Sequence, residues 1–125
     1  MIDLSNRVEG WTHAKLKAFI ISALRSAFRR YPPKQQCIKD AYTQTKINPA
    51  TGRLAKHYLC AICKVEFPFA WMQADHIEPI VPATGFSTFE DWIDRGFVSK
   101  EGFQCICKPC HKIKTTEERR KLKRT

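Results

Sequence analysis

Four of the six cysteines in this chain form two Cys-x-x-Cys pairs, Cys60 with Cys63 and Cys107 with Cys110. Each pair can present two thiolates from one tight turn, and a zinc ion accepts four such ligands in a tetrahedron. Four thiolates leave no open position for water, so the spacing predicts a structural zinc site. The alternative is four unrelated buried thiols.

The two remaining cysteines have to be distinguished from these ligands. Cys105 competes formally with Cys107, but only Cys107 stands at Cys-x-x-Cys spacing from Cys110. We therefore expect Cys105 to be a small core residue on a strand, and Cys37 to be a buried or free thiol.

A second set of residues could perform hydrolytic chemistry. The segment ADHIEP (74–79) lies between the two cysteine pairs, and His111 directly follows the last cysteine. Because zinc would hold both segments on one frame, Asp75, His76 and His111 could meet. A carboxylate and one imidazole can hold a divalent cation with positions left open, and a second imidazole can take a proton from water. Such a group is suited to phosphodiester hydrolysis.

Both histidines also have a plainer interpretation. His76 could be a hydrogen-bonded structural residue, and His111 could be an alternative zinc ligand. Adjacent residues of a straight strand point to opposite faces, so Asp75 and His76 can serve one site only where the strand ends or bulges. Pro79, just downstream, is consistent with such an ending.

The net charge of the chain is +10, from 22 lysines and arginines against 12 aspartates and glutamates. This excess favours a polyanionic partner, and nucleic acid is the commonest one. The N-terminal residues lack a signal-peptide pattern, and the apolar stretch 18–24 is too short to cross a bilayer. We therefore expect a cytoplasmic protein without a membrane partner, whose cysteines bind metal or stay as thiols rather than form disulfides.

Basic residues concentrate after His111. Lys114 lies one helical turn beyond His111 and would share its face, directed towards a bound phosphate, unless it is an ordinary surface lysine. We predict that DNA is contacted by Lys112, Lys114, Arg119 and Arg120. Binding to phosphates of this kind is independent of base sequence and weakens with salt.

Helical periodicity predicts an N-terminal amphipathic helix over residues 12–31, capped by Thr12 and ended by Pro32 and Pro33. Residues 34–56 contain turn residues and scattered cations, and we predict a basic loop region there that lies against DNA or is mobile. A short helix over 37–42 is an alternative for part of it. The predicted apolar stripe of the first helix consists of Leu16, Ile20, Ala23, Leu24, Ala27, Phe28 and Tyr31.

From residue 58 the chain consists of short apolar stretches separated by prolines. This pattern is typical of a cysteine knuckle followed by strands and a turn. Apolar residues at helical spacing predict a short acidic amphipathic helix over 87–97. Residues 102–107 predict a strand, and Pro109 suits the first turn of a C-terminal helix.

The segments ADHIEP and GFQCICKPCHKIKT together resemble the HNH endonuclease family, which has the ββα-metal fold. The resemblance covers residues 58–118, and the N-terminal helix with its FRRYPP end resembles small HNH proteins of bacteriophages. It implies that Asp75 and His111 hold a catalytic divalent cation, Mg²⁺ or another, that His76 is the general base, and that the four paired cysteines hold structural zinc. It also implies cleavage of DNA to a 5′-phosphate and a 3′-hydroxyl.

One position departs from the family pattern. The family has an asparagine before the final histidine that is understood to pin the loop carrying the base, and this chain has Gly102 there. Gln104 or a backbone group could substitute, or the enzyme could be slow. The alternative function is a catalytically weak or inactive, zinc-stapled DNA-binding or adaptor module. A third interpretation is a protein-interaction module that uses the acidic segment 87–95.

From these observations we predict a single α+β domain over residues 1–125. Its zinc-anchored ββα core occupies 58–118, the N-terminal helix packs on this core, and 119–125 form a basic tail. The expected activity is metal-dependent hydrolysis of double-stranded DNA, by nicking or by double-strand cleavage. We expect the protein to act as a monomer. If a phage encodes the chain, packaging or host machinery in the bacterial cytoplasm would be further partners.

Overall fold

The computed structural model describes residues 2–124 and has a mixed α+β architecture. Within these residues the helices are α1 (His13–Ala27), α2 (Pro32–Asp40), α3 (Phe89–Gly96) and α4 (Lys108–Arg124). The strands are β1 (Tyr42–Asn48), β2 (Arg53–Leu59), β3 (Glu66–Pro68), β4 (Met72–His76) and β5 (Phe103–Cys107). None of the described helices is long and apolar enough to span a membrane.

The chain divides into two compact units, one up to Tyr31 and one from Pro32 onwards. The prediction of a single domain, with the first helix packed on the core, stays a prediction. Each unit is internally well defined, and the residues with potential chemistry all belong to the second.

The first unit is built around α1. Thr12 has extended backbone angles, and its hydroxyl accepts a hydrogen bond from the Lys15 N–H at 3.2 Å, which confirms the predicted cap. A 3-10 turn, Phe28–Arg30, extends the helix nearly to Pro32. In the predicted apolar stripe Phe28 is buried, Ala23 is exposed and the other residues are half-buried.

The segment 34–56 is not a loop region, so that prediction is wrong. Its first part lies in α2, which begins at Pro32. Proline is favoured at the start of a helix because the N–H that it lacks would have no partner within the helix there, and because its fixed φ suits the first turn. Its remainder lies in β1 and β2, which pair antiparallel as a hairpin.

The residues that suggested a loop lie in the turn of this hairpin. The Asn48 carbonyl accepts hydrogen bonds from the N–H groups of Thr51 at 3.1 Å and Gly52 at 2.8 Å. Gly52 adopts φ 72°, a left-handed conformation that favours glycine. The turn signals were therefore correct, but the strands on either side of them pair.

The core of the second unit is formed by β2, β4 and β5, with α2 packed on the last two. The sheets are antiparallel, one in the order β1-β2-β3 and the other formed by β4 and β5. Cys105 is 3% exposed, which confirms the prediction of a core residue on a strand. The half-buried Cys37 of α2 packs against the same core. The buried cluster consists of Tyr58, Cys60, Met72, Cys105, Ile106 and Cys107.

The predicted helix over 87–97 and the predicted strand over 102–107 are confirmed as α3 and β5. The Thr88 hydroxyl caps α3 by accepting the Asp91 N–H at 3.0 Å, and Trp92 of this helix is buried, at 2% exposure. Residues 119–124, predicted as a tail, continue α4 as helix.

Candidate functional site

Four cysteine sulphurs converge where β2, β5 and α4 meet. The ligand atoms of Cys60, Cys63, Cys107 and Cys110 all lie within 4.8 Å of one another. The Sγ atoms of Cys63 and Cys107 are 3.9 Å apart. Two thiolates bound about 2.3 Å from one zinc in a tetrahedron lie roughly 3.8 Å apart. This cluster could therefore hold a metal such as zinc, and it contains the four cysteines that the spacing predicted.

Backbone groups shape the turn that carries Cys60 and Cys63. Lys64 adopts φ 60°, and its N–H donates to the Cys60 carbonyl at 3.0 Å. The Ala61 N–H donates to the Cys105 carbonyl at 2.9 Å, which ties this turn to β5. The two cysteine pairs are thus held together by hydrogen bonds as well as by the metal that they could bind.

The thiols of the cluster do not ionise equally. Burial raises the pKa of Cys60, but N–H groups of Cys107 and Cys63, 3.4 and 3.5 Å from its Sγ, help to lower that pKa to about 6. Burial raises the pKa of Cys107, and the hydrogen bond with Cys107 raises that of Cys110. One thiolate therefore forms readily, and a bound cation would favour ionisation of the others.

A second polar cluster lies between β4 and the first turns of α4. Nε2 of His111 is 3.6 Å from Oδ1 of Asp75, and Nζ of Lys114 is 2.9 Å from Oδ2 of the same carboxylate. The Asp75 side chain is only 16% exposed. His111, Lys114 and Glu118 stand at i, i+3 and i+7, so they share one side of α4. The cysteine cluster positions this helix, because Cys107 and Cys110 bracket its start.

The Lys114 ammonium is surrounded by three oxygen acceptors. It contacts Asp75, donates to the His76 backbone carbonyl at 2.9 Å, and forms an ion pair with Glu118 one turn further along α4. Burial lowers the pKa of Lys114, but hydrogen bonds to Glu118 and Asp75 outweigh it and raise that pKa. Lys114 is therefore not an ordinary surface lysine, because it joins the end of β4 to α4. That it contacts a DNA phosphate stays a prediction.

Replacing Lys114 by methionine is expected to lower the free energy of unfolding by about 2 kcal/mol, because a largely buried carboxylate loses its cation. Both side chains keep some solvent contact, so the loss should stay below the about 3–5 kcal/mol typical of a fully buried pair. Urea denaturation measures it. Lys112→Met removes the same charge from an exposed position of α4 and is expected to cost less than about 0.5 kcal/mol. Equal stability of the two variants would contradict this role for Lys114.

His76 is the last residue of β4 and directly follows Asp75. Its Nε2 lies 2.7 Å from the Gly96 carbonyl at the end of α3, and its ring centroid lies 4.6 Å from that of Phe103. A carbonyl oxygen only accepts hydrogen bonds, so Nε2 carries a proton and Nδ1 is the basic atom of the neutral ring.

The neutral form of His76 is favoured. Burial lowers its pKa, and this effect outweighs the hydrogen bond to the Gly96 carbonyl and the charge of Asp75, which act to raise the pKa. The positive charge of Lys114 lowers the pKa further. A histidine in this state can accept a proton at neutral pH.

Gly102 lies directly before β5 and contacts the chain that follows His76. Its carbonyl accepts the Ile77 N–H at 3.0 Å, which holds the backbone in place at the end of β4. A Cβ atom at Gly102 would overlap Cγ2 and Cβ of Val98, so a side chain here has no room unless Val98 shifts. Backbone carbonyls of Gly96 and Gly102 thus hold His76 and the residue after it.

Gly102→Asn is expected to destabilise the protein by about 1–3 kcal/mol, because the added Cβ overlaps Val98. Thermal unfolding of this variant measures the loss. Adding Val98→Ala should recover part of it, since this change removes Cγ2, the Val98 atom nearest to the added Cβ. A Gly102→Asn variant as stable as the original chain would show that the backbone moves to accept the side chain.

The remaining cations predicted to contact DNA lie on the outside of α4. Lys112, Arg119 and Arg120 are all exposed, and Arg120 forms an ion pair of 3.5 Å with Glu117. Lys112 and Arg119 stand seven residues apart, which places them along the same side of the helix. We call these three residues the basic face of α4.

Two residues of the site escaped sequence reasoning. Glu118 could have been found, because it stands seven residues after His111 and therefore shares its side of the helix. Gly96 could not, because it acts through a backbone carbonyl that every residue has.

Comparisons with protein-family models, with curated proteins and with solved structures find no match to this chain. The two clusters are therefore the features from which a function can be inferred. One has the chemistry of a closed thiolate metal site. The other combines a carboxylate, an imidazole and, on the neighbouring residue, a neutral histidine.

Proposed function

We propose that this protein is a metal-dependent DNA endonuclease of the HNH type, with structural zinc on Cys60, Cys63, Cys107 and Cys110. The observation that carries the proposal is the 3.6 Å approach of His111 Nε2 to Asp75 Oδ1, directly beside His76. The order of β4, β5 and α4 along the chain also agrees with a ββα core.

Asp75 and His111 form a donor set suited to a divalent cation such as Mg²⁺. A nitrogen and an oxygen that each lie about 2.1 Å from one ion stand roughly 3–4 Å apart, and their separation falls in this range. Asp75 Oδ2 is buried and lies 2.9 Å from the Lys114 ammonium. When bound, such a cation would neutralise charge on the scissile phosphate and on the departing oxygen.

The chain itself would supply the base and its orientation. His76 donates its Nε2–H to the Gly96 carbonyl, so Nδ1 is the basic nitrogen of the neutral ring and would accept the proton of the attacking water. Phe103 packs against the ring and restricts its rotation. Lys114 is a positioning residue, because it links the Asp75 carboxylate to the His76 backbone.

Duplex DNA is the proposed substrate because the chain carries a net charge of +10 and because α4, the helix that carries His111, exposes its basic face. Cations on an exposed helix contact phosphates without reading base sequence. These contacts release counterions, so DNA affinity should fall as salt rises.

Supercoiled plasmid provides the direct test of this function. Chelator-treated protein with its zinc verified should leave the plasmid intact, and adding Mg²⁺, Mn²⁺ or Ni²⁺ should produce nicked or linear DNA. Asp75→Asn should prevent cleavage, because it removes the carboxylate that would hold the cation. The matched control is Asp94→Asn at an exposed position of α3, which should cleave normally.

A different outcome would favour the alternative function. If folded, zinc-loaded protein shifts the plasmid on a gel but never cuts it with any of the three cations, the nuclease proposal is contradicted. The chain would then be a zinc-stapled DNA-binding or adaptor module.

A further inference from the structure

The hairpin of β1 and β2 extends beyond the rest of its sheet. The third strand, β3, pairs only with residues 57–59, so residues 53–56 and the strand opposite them have no further neighbour in the sheet. At about 3.3 Å per residue, this outer part of the hairpin is roughly 13 Å long. Nearly all of its side chains are exposed.

One face of the outer hairpin is apolar at its tip. Ile47 lies directly opposite Leu54, and the two residues are 60% and 73% exposed. The next pair on the same face is Thr45 opposite Lys56, because strand side chains alternate between faces. Two large aliphatic side chains that are exposed to water together do not stabilise the free protein. They therefore suggest a surface that another molecule covers.

The charge of the hairpin indicates what that molecule is. Residues 42–59 include Lys46, Arg53 and Lys56 and contain no aspartate or glutamate. Lys46 forms an ion pair with Glu66 of β3 at 3.3 Å, on the face opposite to the apolar pair. Lys56 is exposed on the same face as Leu54, and Arg53 is exposed on the opposite face with Lys46. A polyanion is the partner that complements these cations.

We propose that this hairpin enters the major groove of duplex DNA, with Ile47, Leu54 and Thr45 facing the bases and with the long side chain of Lys56, on the same face, reaching a phosphate. Two strands about 4.8 Å apart make, with their side chains, a ribbon roughly 10 Å wide. This width fits the major groove of about 12 Å and exceeds the minor groove of about 6 Å. Aliphatic side chains then contact thymine methyl groups, and threonine can bond to a base edge.

This inference rests on the proposed function in taking DNA as the partner, but it does not require cleavage. Binding should therefore be measured without added divalent cation, by fluorescence anisotropy of a short labelled duplex with the full-length, zinc-loaded protein. We expect Leu54→Glu to weaken DNA binding about tenfold or more, because this change removes base contacts and places a carboxylate in the groove. Lys56→Ala should reduce the slope of log affinity against log salt by about 1.

The matched control is Ile93→Glu, which adds the same charge at an exposed isoleucine of the acidic helix α3. It should bind within about twofold of the original chain, as expected for a position away from the contacted surface. All substituted side chains are exposed, and circular dichroism with zinc content verifies that each variant is folded. Methyl green, a major-groove ligand, should compete with the protein, and netropsin, a minor-groove ligand, should not.

The outcomes separate this inference from the proposed function. If the original chain binds duplex and Leu54→Glu binds equally well, the hairpin does not enter the groove although the nuclease proposal stands. If the original chain binds no duplex, both fail. If sedimentation shows a dimer that Leu54→Glu converts to a monomer with unchanged affinity per protomer, the hairpin tip is an interface between copies, and the inference is overturned.

Discussion

His76→Ala is expected to lower the rate of metal-dependent DNA cleavage by at least about 100-fold, the lower end of what general bases contribute. The reason is that Nε2–H of His76 is committed to the Gly96 carbonyl and burial lowers the pKa of the ring, so the neutral imidazole can take a proton from water. DNA affinity should change little, because His76 carries no positive charge at neutral pH. Single-turnover cleavage of supercoiled plasmid and anisotropy with a short duplex measure the two quantities separately.

Two further measurements distinguish a base from a structural histidine. His76→Gln can still donate a hydrogen bond towards Gly96 but cannot act as a base, so it should be more stable than His76→Ala and equally inactive. Imidazole added to His76→Ala should restore part of the cleavage if the missing group is a proton acceptor. A His76→Ala variant that cuts at the original rate would remove this residue from the mechanism.

Cys63→Ser is expected to abolish stoichiometric zinc binding and to lower the free energy of unfolding by about 4 kcal/mol or more, because structural zinc can contribute about 10 kcal/mol or more of folding free energy. Cys63 is exposed, so the substitution leaves no cavity, and the loss reports the metal alone. Domains have a total stability of about 5–15 kcal/mol, so a loss of this size would leave a domain at the low end of that range barely folded near room temperature. Metal content by mass spectrometry and thermal unfolding with and without chelator test this prediction.

Cys37→Ser is the matched control. Cys37 is half-buried on α2 and does not belong to the four-sulphur cluster. This variant should retain one zinc per chain and lose stability only slightly. Zinc retained by Cys63→Ser, or lost by Cys37→Ser, would mean that a different set of ligands holds the metal.

The features that could be predicted from the sequence depend on short stretches of chain. Thr12 and Thr88 begin helices by accepting an N–H three residues later, and both caps are present. Cys-x-x-Cys spacing likewise decides within four residues which sulphurs can share a metal. For the same reason the start of α4 and the strand that precedes it were expected near their observed positions.

The prediction for 34–56 failed because a hairpin depends on pairing between two segments. Side chains on both faces of β1 and of the outer half of β2 are exposed, so the outer hairpin does not have the alternation of apolar and polar residues that marks a half-buried strand. Only the pairing of Ile47 with Leu54 and of Asn48 with Arg53 shows that the turn residues belong to a hairpin.

The sequence by itself determined which side chains can bind a metal, where α1, α3 and α4 begin to within a few residues, and that Lys114 would share a side of α4 with His111, since these follow from side-chain chemistry and local geometry. Only the tertiary structure decided that Lys114 pairs with Asp75 rather than pointing at solvent, and that carbonyls of Gly96 and Gly102 hold His76 and Ile77. These contacts join residues about 20 or more positions apart and involve backbone groups common to every residue, so no spacing or residue type announces them.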